Sequence, residues 1–241
     1  MRLSIVIPAY NEQDYLPGCL EQVLAEVRRC PHPEMVEVLV VDNASIDDTA
    51  EVARRMPGVR VVHEPHKGLT RARQAGLLAA TGDLLGYVDA DTRMPPGWID
   101  RVMRTFERHP NVVCVSGPYI YYDAKRWQRA MVRMYWIFLA SPAYWMTRYM
   151  VVGGNFAARR SALEQIGGFD TEIAFYGEDT NIARRLSKAG KVKFMLRLPM
   201  RTSSRRLRAE GMAATAGKYV ANFVSEVVLK RPVTQGYRDI R

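Results

Sequence analysis

Short apolar runs alternate with helix-period patterns through the first half of the chain, and this alternation predicts an α/β fold. Leu3 to Ala9 reads as a buried strand, and Asp14 to Arg29 follows as a helix with Leu16, Leu20, Val23, Leu24 and Val27 on one face. Val36 to Val41, rich in β-branched residues, is the next strand. Beyond it Ser45 and Asp48 have capping-box spacing, with Asp where Glu or Gln is usual. A helix is therefore expected up to about Arg55, before Pro57-Gly58 stops it. Val59 to His63 is a third strand, Leu69 to Ala80 a third helix and Asp83 to Val88 a fourth strand. Such a succession predicts a largely parallel sheet with helices on both faces.

The second half is less regular. A helix from about Trp98 to Arg108 leads to a strand over about Val112 to Tyr121. Residues 126–152 are rich in Arg, Trp, Tyr and Met, and their longest uncharged run, Met134 to Thr147, is interrupted by Pro142. A membrane-crossing helix needs about 20 apolar residues, so none is expected. From Ala209 to Lys230, Met212, Ala216, Tyr219, Val220, Phe223, Val227 and Val228 recur at helical spacing, and Pro232 closes the pattern.

With 241 residues, 48% of them hydrophobic and 25% charged, the chain has the make-up of an ordinary globular protein, which excludes disorder and collagen-like structure. The net charge of +10 is unevenly placed: residues 1–120 carry 13 Lys and Arg against 16 Asp and Glu, and residues 121–241 carry 22 against 9. A basic half suits nucleic acid, a phosphorylated substrate or an anionic membrane, and charge alone does not choose among them. Cys19, Cys30 and Cys114 have neither zinc nor redox-pair spacing. Pro8, Asn11 and Glu12 cut short the apolar run at the N-terminus, so no secretory signal is expected, and a reducing cytoplasmic location fits.

In open α/β sheets, ligands bind beyond the carboxyl ends of the strands. Three polar clusters fall there: Ala9-Tyr10-Asn11-Glu12, Asp42-Asn43 and Asp89-Ala90-Asp91. Neither GxGxxG after the first strand nor GxxxxGK[ST] is present, which disfavours a dinucleotide dehydrogenase and a P-loop enzyme. Two carboxylates from adjacent loop positions suit a hard cation, Mg²⁺ or Mn²⁺, with a diphosphate as its remaining ligand. An isolated pair of this kind is more often a solvated acidic turn.

The pair is not isolated. IPAYNE (7–12), VDNASIDDT (41–49), KGLTRARQAGLLAATGDLLGYVDADT (67–92), GGNFAARRSALEQIGGFD (153–170) and FYGEDTNIARRL (175–186) stand in this order, and together they resemble the family 2 glycosyltransferases over about residues 1–190. The resemblance implies a GT-A α/β domain with residues 1–120 as its nucleotide-sugar-binding half, 121–200 as its acceptor-side half and 201–241 as a basic helical extension. It also implies a nucleotide-diphosphate-sugar donor. A single sugar would pass, with inversion, to a hydroxyl on a glycan or lipid-linked acceptor such as those of the cell envelope.

Residue by residue, Pro8, Ala9, Tyr10 and Glu12 match the family's first nucleotide-contacting loop, and Asp42 matches the acid that accepts a hydrogen bond from the base. Lys67, Arg71 and Arg73 open a helix beside that site, where they would favour the donor phosphates. Within Asp89-Ala90-Asp91 the match gives Asp91 to a divalent metal, Mn²⁺ or Mg²⁺, and Asp89 to the ribose or a supporting role at the metal. Asp179, with Glu178 as neighbour, matches the catalytic base. Gly153, Gly154 and Asn155 match the acceptor-side loop.

Two departures from the family pattern matter. A later histidine often completes the metal site, yet His32, His63, His66 and His109 all precede the acceptor half, and the matching stretch reads MRTSSRR (200–206). Arg205 or Arg206 is therefore expected to neutralise part of the departing diphosphate. The QxxRW motif of processive relatives is replaced by Asn181-Ile182-Ala183-Arg184-Arg185-Leu186, which favours single addition over polymerisation. The aromatic and basic stretch from Trp127 to Tyr149 fits peripheral contact with an anionic membrane and, equally, a core helix pair. A sugar-phosphate nucleotidyltransferase is the alternative enzyme, although the glycine-rich basic loop expected after its first strand is missing. A basic membrane- or nucleic-acid-binding module is the alternative from another class. It leaves Asp42, Asp89, Asp91 and Asp179 without work, and nucleic acid is not expected as a partner because carboxylates repel phosphate backbones. No pattern fixes an oligomeric state.

Overall fold

The computed structural model describes residues 1–173 and 177–211, together with Gly217, Ala221 and Ser225. Strands β1 (Leu3–Ala9), β2 (Val36–Asp42), β3 (Val59–His63) and β4 (Leu84–Val88) alternate with helices α1 (Leu16–Arg29), α2 (Thr49–Arg54) and α3 (Leu69–Ala79). The four strands are parallel, in the spatial order β3-β2-β1-β4. After the short β5 (Thr92–Arg93) and helix α4 (Trp98–Arg108), the sheet is extended by β6 (Val112–Ser116), β8 (Asn155–Arg159) and β9 (Lys191–Phe194). The full order is β3-β2-β1-β4-β8-β6-β9, with only β8 running against its neighbours. This is the largely parallel α/β sheet that the alternating pattern predicts.

Alternate side chains of the strands face opposite sides of the sheet, and each side has its own core. Leu3, Ile5 and Ile7 pack with Leu16, Leu20 and Val23 of α1 and with Trp98, Val102 and Phe106 of α4. On the other face Val6 and Tyr87 pack with Leu77 of α3, Leu163 of α7 (Arg160–Gln165) and Ile182 and Leu186 of α8 (Glu178–Ala189). Each large apolar side chain removed from water contributes about 1.5–3 kcal/mol.

The strand expected over residues 112–121 is two strands. A Cβ at Gly117 would lie 1.9 Å from the Leu198 carbonyl oxygen, and Pro118 has no N–H to offer the sheet, so the chain leaves it there. It re-enters as β7 (Tyr119–Tyr121) in a second sheet of order β5-β10-β7, where β10 is Met200–Thr202. That small sheet brings residues 200–206 beside Asp91. Ser45 does not cap α2 either: its hydroxyl accepts the Asn11 N–H at 3.1 Å and ties the loops after β1 and β2 together.

Residues 126–147 form α5 (Arg126–Tyr135), a π turn (Trp136–Ala140) and α6 (Ser141–Thr147). Trp136 donates to the Tyr119 carbonyl at 2.9 Å and stacks on Phe194, which seats this segment on the sheet. Neither α5 nor α6 buries a residue, so the expectation of a core helix pair does not hold. Among the described residues no helix is long and apolar enough to cross a membrane. A further helix, α9, covers Arg205–Glu210. The apolar positions of the expected C-terminal helix, from Met212 to Val228, lie outside the described residues.

Candidate active site

Strand order turns between β1 and β4: β2 and β3 follow β1 on one side, and β4 lies on the other. The loops leaving β1 and β4 therefore diverge, and a cleft of about 950 Å³ opens beyond their carboxyl ends. Pro8, Ala9, Tyr10 and Glu12 line it from the first loop, and Asp89, Ala90 and Asp91 from the second. Lys67 lies on the rim with its ammonium 3.9 Å from the Tyr10 ring centroid, while Arg71 is exposed on the first turn of α3. Asp42 is buried at the end of β2, with Oδ2 3.1 Å from His63 Nδ1 and Oδ1 accepting the Ser45 N–H. Its neighbour Asn43 reaches the cleft and braces the rim, donating to the His66 carbonyl and accepting from the Gly68 N–H.

Two expected binding residues have other work. Arg73 lines the cleft but is 1% exposed: its guanidinium lies 2.7 Å from Glu178 Oε2 and 3.5 Å from Asp89 Oδ1, so it bridges two carboxylates. Asn155 is wholly buried, with Oδ1 accepting from Trp98 Nε1 at 2.9 Å and Nδ2 donating to the Leu198 carbonyl at 2.8 Å. Its amide is consumed in tying β8 to the neighbouring loops, and none of it is left for an acceptor sugar. Gly154 does reach the cleft. A Cβ there would lie 2.1 Å from Asp89 Cγ and from the Tyr119 hydroxyl, so only glycine lets the chain pass behind Asp89. Tyr119, which the sequence does not single out, donates to Asp89 Oδ2 at 2.7 Å and fixes that carboxylate.

Asp179 stands in the first turn of α8, preceded by Gly177, whose φ of +84° turns the chain into the helix. It is half-buried and accepts the Thr180 N–H at 2.8 Å. Burial raises its carboxyl above the ordinary range, against the pull of the Thr180 N–H and Arg73. Glu178, buried on the cleft wall, is likewise raised by burial and held back by Arg73.

Arg205 enters from α9. Its NH1 and NH2 lie 2.9 and 2.5 Å from the two oxygens of Glu12, and its Nε lies 2.9 Å from Asp91 Oδ2. Arg206 lines the cleft beside it. The turn that presents them is held by Asp123, another residue without a sequence signal, which accepts from the Ser204 N–H at 2.6 Å and the Ser203 hydroxyl at 3.1 Å. Burial pushes the Asp91 carboxyl up to about 6, with Arg205 opposing and Asp89 and Glu12 adding to the rise.

These contacts bear on the metal expected at Asp91. Oδ2 is engaged by Arg205 and Oδ1 by the Thr202 hydroxyl at 3.3 Å, while both Glu12 oxygens face the same guanidinium. Among the described residues no group of three or more His, Cys, Asp or Glu side chains is placed to hold an ion. The donor set does not fit a divalent metal.

Residues 4–167 match the family model described as glycosyl transferase family 2. An uncharacterised glycosyltransferase of Mycobacterium bovis is 37% identical over 111 residues, 46% of each chain. The undecaprenyl-phosphate 4-deoxy-4-formamido-L-arabinose transferase of Serratia proteamaculans is 35% identical over 118 residues, covering 46% of this chain and 36% of that one. The chain thus spans less than half the length of these curated relatives. Among solved structures, a mannosyltransferase from Pyrobaculum calidifontis in complex with GDP-Man and Mn²⁺ shares the fold, with a TM-score of 0.63 and 23% identity over 91% of this chain and 64% of that one.

Proposed function

The chain belongs to glycosyltransferase family 2, and from that premise we propose that it moves a single sugar from a nucleotide-diphosphate-sugar to a hydroxyl acceptor. One observation carries this reading: the loops after β1 and β4, on the donor side, share a single cleft with Asp179 of α8. Asp179 takes the proton of the acceptor hydroxyl as that oxygen bonds to the anomeric carbon. The bond from this carbon to the diphosphate oxygen breaks, and its electron pair leaves with the nucleoside diphosphate. Attack from the face opposite the leaving group inverts the centre. Glu178 stays paired with Arg73 and positions its neighbour. Mn²⁺ accompanies GDP-Man in the Pyrobaculum mannosyltransferase; here no step is assigned to a metal.

Donor binding is checked by melting the protein with UDP, GDP, dTDP and CMP in turn. At one hundred times its Kd a bound nucleotide stabilises the fold by about 2.7 kcal/mol, so one of the four is expected to raise Tm by several degrees. A screen in which none does overturns the reading.

The acceptor side of the cleft points to an amphiphilic, lipid-linked acceptor. Met131, Tyr135, Leu139, Pro142 and Met146 continue its wall, and the Tyr135 phenol is raised by burial and, further, by the charge of Asp179. Trp127, Phe138, Trp145 and Met146 are more than half exposed, and Arg126, Arg129, Arg133 and Arg148 lie on the same segment. Aromatic and apolar side chains interspersed with arginine suit the headgroup boundary of an anionic bilayer. The protein is expected to float with phosphatidylglycerol vesicles and to lose that association when Phe138 and Trp145 are both replaced by Ser. Recovery of wild-type protein only in the lipid-free fractions removes the membrane from the proposal.

A further inference from the structure

The cluster of Glu12, Arg205 and Asp91 bears on how the donor's diphosphate is held, an inference that rests on the donor reading above. Arg205 meets a carboxylate on each of two edges, and its guanidinium carbon lies 4.7 Å from the Tyr15 ring centroid. Glu12 and Asp91 are both buried. A planar cation clamped at its edges and covered on one face has little rotamer freedom left. The chain that delivers it is fixed as well: Thr202 pairs with Thr92, one residue after Asp91, and Asp123 holds Ser203 and Ser204.

We propose that Arg205 is the resident cation of this cleft, standing beside Asp91 where a divalent ion would have to bind, and that the chain binds its nucleoside-diphosphate donor without metal. Mg²⁺ demands oxygen ligands at about 2.0–2.1 Å in near-octahedral array. The oxygens that could supply them, on Asp91, Glu12 and Asp89, already face Arg205, Thr202, Tyr119 and Arg73, and a dication added here meets a fixed positive charge. A guanidinium carries five N–H groups, of which three point at the carboxylates, so two remain for a phosphate oxygen. Lys67 and Arg206 line the same cleft and add cationic groups on the side from which a diphosphate would approach Arg205. No histidine follows His109 in the chain, so the ligand type that commonly completes such metal sites is missing from this half.

Calorimetric titration of the full chain with UDP, GDP and dTDP, in EDTA and again in Mn²⁺, tests this. The nucleotide that binds is expected to do so with affinities within about threefold of each other in the two media. Arg205→Lys, which keeps the charge and loses the fork, should weaken binding about tenfold in both, and Arg205→Ala about 10- to 100-fold. Wild-type affinity that collapses in EDTA and returns with Mn²⁺ overturns the proposal. EDTA-resistant binding that neither substitution alters overturns the assignment to Arg205. Binding of no nucleotide in either medium removes the donor reading and this proposal with it. The wild-type comparison and Arg205→Lys decide even where Arg205→Ala does not fold.

Discussion

Replacing Asp179 with Asn is expected to lower the transfer rate by a factor of about 10²–10⁴, the usual contribution of a positioned general base. The substitution removes little else. Asn keeps the oxygen that accepts the Thr180 N–H at 2.8 Å, so the first turn of α8 retains its anchor, and the side-chain volume barely changes. Nucleotide affinity, set at the other end of the cleft, should stay near wild type. The pH profile supplies a second signature. Burial raises the Asp179 carboxyl, and as a base it must be ionised, so the wild-type rate should climb with pH through a value above the ordinary Asp range of about 3.9. A raised carboxyl also makes the folded state the better proton binder, so ionising it costs stability as pH rises through that window. Asp179→Asn removes this cost and is expected to melt at or slightly above the wild-type temperature at neutral pH. Near-normal turnover in the variant, or a pH profile that survives the substitution, takes Asp179 out of the mechanism.

The first half of the fold was legible because its signals are local. Buried strands such as Leu3–Ala9 and Val36–Asp42 are continuous apolar runs, and the polar residues that follow them fall at strand ends whatever the strands pair with. The loop residues Glu12, Asp89 and Asp91 are legible as site candidates for this reason. Arrangements set by distant partners were not legible. Nothing in Asn155-Phe156-Ala157-Ala158-Arg159 reveals that this strand inserts antiparallel between β4 and β6, and that insertion is what buries the Asn155 amide. The break at Gly117-Pro118 is visible as composition, yet its consequence, a second sheet that carries Arg205 to Asp91, depends on β5 and β10. Arg73 shows the limit most clearly: helix position and charge both suit a phosphate ligand, and the residue that claims it, Glu178, is 105 positions away.

That buried pair leads to the other large effect. Arg73→Met is expected to destabilise the fold by about 3–5 kcal/mol, because removing one member of a buried ion pair leaves the other charge uncompensated. The site has no slack to absorb the loss: a Cβ at Gly153 would lie 2.7 Å from Arg73 NH2 and 2.8 Å from Glu178 Oε1, so the backbone already closes over the pair. Arg73→Met/Glu178→Gln should recover a large part of the loss, since it is the stranded charge that costs most. The sign of the pH dependence follows from Glu178. With Arg73 gone, nothing near at hand opposes the rise of its carboxyl through burial, so the folded state holds the proton more tightly than the unfolded chain, where the pKa is about 4.3. Stability of the single variant must then fall as pH rises from 5 to 8, more steeply than in wild type, and the double variant should lose that slope. Urea denaturation at the two pH values measures all four quantities. A single variant within about 1 kcal/mol of wild type, or a double variant as unstable as the single, would mean that Arg73 is not what joins α3 to the helix bearing Asp179.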